Sequence, residues 1–202
     1  MSQHNFPGVA NELKLEAGKE LFHGTLAAKF THDLPGPNPG PIDYHHPPTP
    51  DEPAWFADNK KFALHAAVRF TKPGVQSEIT LHSYSIYDRL HMMSLQTMDD
   101  LEIFMREQFQ VESNFNGLAE GIVLADWSNV PAGLEGYALL QDTVRGEPEY
   151  VLLRAGLAKL RHEEALKVHV VPVDNNQSIL VADGTDTVMA TYTYDNGPGE
   201  LV

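Results

Sequence analysis

The sequence predicts an α+β domain weighted toward β-structure. Alternating apolar residues recur in short stretches, at 78–87 and 166–173. Two longer stretches, 58–70 and 98–109, instead carry apolar residues at helical spacing. Gly, Pro and Asp turns separate these segments along 202 residues, a length suited to one domain.

In chain order, residues 1–19 read as a polar lead-in with a short helix at 12–19. Glu20-Leu21-Phe22-His23-Gly24-Thr25 reads as a strand ending in a Gly turn, and 26–32 as the start of a helix. Residues 33–53 hold eight of the fourteen prolines. Proline fixes φ and removes a backbone donor, so this insertion is expected to be an extended loop, neither helix nor central strand. Ala54-Trp55-Phe56-Ala57 reads as a strand. Asp58 or Asn59 then caps a helix to about Phe70, with Phe62, Ala63, Ala66, Ala67 and Phe70 on one face. The strand at 78–87 offers Ile79, Leu81, Tyr84 and Ile86 as apolar contacts, with a register break near Ser83. A strand or turn follows at 88–95.

Thr97 is the expected N-cap of the helix at 98–109, whose Asp99, Asp100 and Glu102 suit the positive end of the helix dipole. Another helical turn is expected at 114–119. Residues 133–140 read as a turn leading into a strand, and Glu149-Tyr150-Val151-Leu152-Leu153-Arg154 as a strand. After the strand at 166–173, segments 179–182 and 188–194 form a hairpin across the turn at 183–186.

The chain has 28 acidic and 14 Lys or Arg residues, a formal net charge of -14. That balance disfavours nonspecific binding to nucleic acid or anionic membranes. Zero cysteines excludes disulfides, a thiol nucleophile and Cys-based metal sites. No apolar run approaches the roughly 20 residues of a membrane span, and no hydrophobic signal core is expected near the N-terminus. None of the ten histidines has a recognised ligand spacing. Arg161-His162-Glu163-Glu164 lacks the second histidine of a zinc-protease helix, and His45-His46 are adjacent on an extended segment. Hydrolase-elbow, Rossmann and P-loop signatures are absent.

Three motifs carry chemistry. Phe22-His23-Gly24-Thr25 places an imidazole beside exposed backbone groups, suited to a ribose hydroxyl and a planar amide; its plainer reading is a strand end with a surface histidine. Trp55-Phe56-Ala57-Asp58 offers an aromatic wall for a flat ring, or simply core packing. Glu147-Pro148-Glu149-Tyr150 sets carboxylates at the mouth of an apolar strand, suited to general-base work or oxocarbenium stabilisation. It is equally a surface strand start.

In this order the three motifs resemble the ADP-ribosyltransferase fold family, the diphtheria-toxin-like and poly-ADP-ribose-polymerase-like transferases. The resemblance spans roughly residues 20–172. It rests on Leu21-Phe22-His23-Gly24-Thr25, on Ala54-Trp55-Phe56-Ala57 with the helix after it, and on Glu149-Tyr150-Val151-Leu152-Leu153. The turn at 133–137 resembles the one before the family's catalytic strand. Trp55 stands where the polymerase-like branch has tyrosine, and Lys60 or Lys61 where it often has serine. Glu147-Pro148-Glu149 and Ser83-Tyr84-Ser85 resemble the Glu-x-Glu and Ser-x-Ser of arginine-directed members, yet His23 stands where those have arginine.

The resemblance implies a split β-sheet core with flanking helices, NAD+ as substrate and no metal. His23 would bind the adenosine ribose, and the Gly24 backbone, beside Thr25, the nicotinamide carboxamide. Phe56 with Trp55, Tyr44 or Tyr84 would stack on nicotinamide. Glu149 would stabilise the oxocarbenium-like transition state and Glu147 would orient or deprotonate the acceptor. Lys29, Lys60, Lys61 or Arg69 would meet the pyrophosphate. The expected acceptor is a protein, preferably basic. The expected place of action is the cytoplasm, or a host cytoplasm reached without a classical signal peptide, as for a toxin or phage effector. The proline-rich insertion would be a lid or target-contacting loop, and residues 173–202 a β-hairpin extension beyond the family match. The competing functions are NAD+ hydrolysis on the same scaffold and a non-catalytic structural or binding protein, such as a virion or assembly component.

Overall fold

The computed structural model describes residues 11–26, 30–33, 41–44, 54–97, 99–100, 103–104, 106, 134–140 and 147–194. The side chains of 11, 30–33 and 41–44 lie outside that description. The first strands are β1 (Asn11–Leu15), β2 (Glu20–Leu26), β3 (Phe30–Asp33), β4 (Pro41–Tyr44) and β5 (Ala54–Ala57). Helix α1 (Lys60–Val68) precedes β6 (Ser77–Ile86), β7 (Leu90–Leu95), β8 (Gly136–Leu139) and β9 (Glu149–Leu152). A short helix, α2 (Arg154–Leu157), leads to β10 (Leu160–Pro172), β11 (Gln177–Ala182) and β12 (Val188–Thr193).

Ten of these strands form one sheet in the order β1-β7-β8-β9-β5-β2-β6-β10-β11-β12, and β3 pairs with β4 apart from it. The chain is thus α+β with the sheet dominant, as expected. All neighbours are antiparallel except β7 and β8.

Two early expectations are corrected. Residues 11–15 are a strand, not part of a helix, because Asn-Glu-Leu-Lys-Leu alternates with period two and pairs with β7 from Asn11↔Ser94 to Leu15↔Leu90. Leu15 is buried by that pairing, which a helix would not have provided. The turn after it carries Gly18 at φ +87°, the left-handed region that favours glycine. Residues 26–32 do not begin a helix either: β2 runs through Leu26, and β3 starts at Phe30. Phe30-Thr31-His32-Asp33 contains aromatic and β-branched residues that suit a strand. Within the proline-rich insertion, β4 pairs with β3, Pro41 lying opposite Asp33 at one end of the ladder. The rest of that insertion, and the turn expected at 114–119, lie outside the described residues.

Helix α1 begins where expected. The Asn59 side chain accepts a hydrogen bond from the Phe62 amide at 2.7 Å. Asn59→Ala is expected to cost about 1 kcal/mol, read as a lower denaturant midpoint, because that amide would lose its partner. Phe70, expected on the buried face, is exposed beyond the end of α1 and lies under the Arg69 guanidinium. Leu64 and Val68 are fully buried instead. Thr97 caps the next helical segment: its hydroxyl accepts from the Asp100 amide, and Asp100 accepts from the Thr97 amide. Residues 99, 100, 103, 104 and 106 are helical, with Phe104 packed on Tyr137 of β8.

β6 is buried on both faces, which explains its irregular pattern. Ile79 and Leu81 join α1 in one core, while Tyr84 and Ile86 join Leu21, Phe56 and Tyr150 in another. The irregularity expected near Ser83 lies on its partner strand: the β10 register shifts between His162 and Glu164, opposite Ser83.

The C-terminal hairpin belongs to the core. Leu180, Ala190 and Tyr192 are buried with Phe62, Leu64 and Val68 of α1. The Tyr194 hydroxyl also meets the Thr71 hydroxyl at 2.6 Å. Ser178 on β11 is fully buried, and its hydroxyl has no hydrogen-bond partner among the described residues. An unsatisfied buried hydroxyl is unfavourable. Ser178→Ala is therefore expected to leave stability unchanged or to raise it by up to about 1 kcal/mol, as thermal unfolding would show.

Candidate active site

Backbone register brings the three motifs onto adjacent strands. Phe22 of β2 lies opposite Ala57 of β5, and Ala57 lies opposite Glu149 of β9. The β2–β5 contact is a single register pair, Phe22↔Ala57. On its other side β2 pairs with β6 along its whole length. The sheet is therefore weakly joined between the strand bearing His23 and the strand bearing Trp55.

His23 reaches across this junction. Its Nδ1 lies 2.7 Å from the Trp55 carbonyl oxygen, and its ring lies 5.7 Å from the Phe56 ring. A carbonyl only accepts, so Nδ1 carries the proton in this bond. In the neutral ring Nε2 is then an acceptor, suited to a hydroxyl donor.

Gly24 lies under α1. A Cβ there would stand 2.2 Å from the Ala63 carbonyl oxygen, so this glycine permits helix and strand to touch. Thr25 is buried.

The aromatic candidates separate. Phe56 and Tyr84 are buried in the core and pack edge to face, with centroids 5.4 Å apart. Their faces serve the core, whereas Trp55 keeps partial exposure. Tyr44 is on β4, and its side chain lies outside the description. By strand alternation Trp55 and Ala57 share a face with Glu149, whereas Phe56 shares the opposite face with Tyr150.

Glu149 is half-buried at the start of β9. Glu147 is exposed, and its Oε2 accepts from Asn59 Nδ2 at 3.3 Å. The residue that caps α1 thus also positions Glu147. Beside it, the Tyr150 hydroxyl lies 3.4 Å from Asp58 Oδ2. Burial first, and then the Asp58 charge, push the Tyr150 hydroxyl up to about 12.

An open groove of about 680 Å³ lies by the start of β2, and none of His23, Trp55, Phe56, Tyr84, Glu147 or Glu149 lines it. Phe22, Asp58, Ser85 and Glu20 line it with two cations, Lys19 and Arg161. Lys19 lies 3.8 Å from Asp58, and Arg161 lies 2.7 Å from Glu163. Glu163 also accepts from the Ser85 hydroxyl, and these two contacts hold its carboxyl below the usual range. Of the cations expected near a pyrophosphate, Lys60 lies over the Phe22 ring at 5.6 Å. Lys61 is exposed on α1, Arg69 lies at the far end of that helix over Phe70, and Lys29 is outside the described residues.

Sequence reasoning missed Lys19 and Arg161, because which strands flank β2 is set by sheet order and not by local pattern. It also missed His82 and His162. His82 lies opposite His23 on β6, and its Nδ1 meets His162 Nε2 at 3.1 Å. The alternation of His82 with Tyr84 was a usable signal, whereas their pairing with β10 was not.

Among the described residues no group of three His, Asp or Glu is arranged to hold a metal ion. None of their helices is long and apolar enough to cross a membrane. No protein-family model, no curated protein and no solved structure matches the chain.

Proposed function

We propose that the protein binds NAD+ at the β2–β5 junction and transfers ADP-ribose to an acceptor, on a split-sheet core of the ADP-ribosyltransferase kind. One observation carries this reading: the register that sets the His23 strand, the Trp55 strand and the Glu149 strand side by side. The three strands become neighbours; by strand alternation Trp55 and Glu149 share one face, and His23 lies on the other with Phe56 and Tyr84, so NAD+ would have to reach His23 through the weakly joined β2–β5 junction.

The reaction breaks the bond between nicotinamide and ribose C1′. Nicotinamide leaves with the bonding electrons, and positive charge develops on the ribose. The Glu149 carboxylate stabilises that charge in a site that is partly shielded from water. An acceptor nucleophile then bonds to C1′ and gives up its proton, with Glu147 as the receiving base. His23 offers Nε2 to a ribose hydroxyl. Trp55, half-exposed on the face that bears Glu149, is the aromatic that would cover nicotinamide. Lys19 and Arg161 are the groove's cations, and a pyrophosphate would take them over from Asp58 and Glu163, with which they are now paired. The surplus of acidic residues favours a basic protein as acceptor. The cytoplasm, the protein's own or a host's, supplies the NAD+ this chemistry needs.

Incubating the purified chain with NAD+ labelled in its adenylate half and a cell lysate tests this reading. Label on protein supports transfer. Free ADP-ribose alone assigns the scaffold to NAD+ hydrolysis. Neither product, together with no heat of binding at millimolar NAD+, overturns the reading in favour of a binding or assembly protein.

A further inference from the structure

We propose that His82 and His162 form an acid-opened latch between β6 and β10, one strand away from the β2–β5 junction. The latch is independent of the site's ligand, because it involves only protons and the sheet.

Three features converge on the pair. First, His82 is 5% exposed, and Nδ1 bonds to His162 Nε2 across the strand boundary. Second, β10 is irregular at this place. His162 lies opposite Tyr84, Glu164 lies opposite Ser83, and Glu163 is the extra residue between them. Such a bulge re-aims a side chain. Here the His162 ring stands 5.3 Å from both His82 and Tyr84, so it meets two residues of β6. Third, the bulge interrupts the backbone ladder, so a side-chain tie at that point replaces regular pairing.

The chemistry of the tie is sensitive to acid. Between two imidazole nitrogens there is room for one proton. A neutral pair has one donor and one acceptor and is satisfied. When both rings are charged, two N–H groups face each other and the bond is lost. Other charged groups around the pair shape this response. From β2, His23 faces His82 directly. From β10, Glu163 favours the charged form of His162, as does a backbone bond at Glu164.

Burial outweighs the help from Glu163 and holds His162 below the ordinary histidine value. Burial, then His23, then His162 push His82 down to about 4. Both folded-state values are thus below the unfolded value near 6.5. The latch stabilises the fold fully above that value and loses its contribution as pH falls toward 4. Its opening would loosen β6 against β10 next to His23.

The test compares the full chain with His162→Gln and with the His82→Gln/His162→Gln pair. Glutamine can still make a hydrogen bond but cannot take up a proton. From about pH 7 to about pH 4.5 the unfolding equilibrium constant of the unaltered chain is expected to rise about fiftyfold more than that of the double variant. His162→Gln should fall between them. Protection factors at Ser83 and Glu164, which correct exchange for the fall of its intrinsic rate with pH, should drop in acid in the unaltered chain and stay flat in the double variant. If the unaltered chain and the double variant lose stability in parallel, or if ring signals of His82 and His162 titrate as independent ordinary histidines, the latch is overturned. Both readouts are taken without NAD+, so a chain that fails to bind NAD+ can still show the latch or lack it.

Discussion

Gly24→Ala is expected to destabilise the chain by about 3 kcal/mol. A Cβ at this position would sit 2.2 Å from the Ala63 carbonyl oxygen and 2.9 Å from its carbon. The obstacle is helix backbone, which cannot rotate aside as a side-chain tip can. Either α1 lifts from β2 or the strand bends. Both movements disturb the core that Phe22, Ala63, Ala67 and Leu81 form together. A loss of that size is a large share of the stability of an ordinary domain.

Gly18→Ala provides the control. Gly18 has φ +87°, yet nothing stands within 4 Å of a Cβ built there. Its cost is conformational alone, about 1 kcal/mol. Urea unfolding of both variants distinguishes the mechanisms: a large midpoint shift for Gly24→Ala and a small one for Gly18→Ala, with similar slopes. A Gly24→Ala chain within about 0.5 kcal/mol of the unaltered one would mean that α1 does not rest on β2 as described. The expected loss also bears on function. Reduced activity in a Gly24 variant does not by itself report a lost nicotinamide contact, because the same substitution displaces the helix.

Local pattern made much of the fold legible, and long-range pairing set the rest. Thr97 was readable as a cap, and the first cap as Asp58 or Asn59, of which Asn59 bonds the Phe62 amide, because capping uses neighbours three residues away. β5, β9 and the final hairpin were readable from short apolar runs between turns. The strand at 11–15 was missed because Glu and Lys favour helix locally, and only pairing with β7 decides the matter. The site shows the same division. His23, Trp55 and Glu149 were legible as strand-end motifs, and register makes their strands neighbours. Phe56 and Tyr84 looked alike to Trp55 in sequence, but burial gives their faces to the core. The His82–His162 contact joins residues 80 positions apart and depends on a bulge. Alternation within either strand does not encode it.

Glu149→Gln is expected to lower the rate of glycosidic cleavage by about 10²–10³-fold while NAD+ affinity changes by less than about threefold. On the proposed reaction the carboxylate charge would meet positive charge that develops in the transition state, whereas the ground-state ribose would offer only hydroxyls. Glutamine keeps the shape and the hydrogen-bonding capacity. Glu149 is half-buried at a strand start, so the substitution should leave the unfolding midpoint nearly unchanged. Glu147→Gln should behave differently. It is exposed and held by Asn59, away from the ladder, so it can act on the incoming acceptor without shaping the bound NAD+. Transfer to protein should fall by about tenfold or more, with hydrolysis of NAD+ largely retained, since water needs less positioning than a side chain of a partner. Asn59→Ala should repeat part of the Glu147 defect, because it releases that carboxylate, and Asn59→Asp should repeat it with the helix cap intact. Equal labelling by the unaltered chain and Glu149→Gln would remove Glu149 from the reaction. Equal loss of transfer and hydrolysis in Glu147→Gln would place that carboxylate on NAD+ cleavage and move the search for the acceptor's base to the groove by β2, whose carboxylates are Glu20, Asp58 and Glu163.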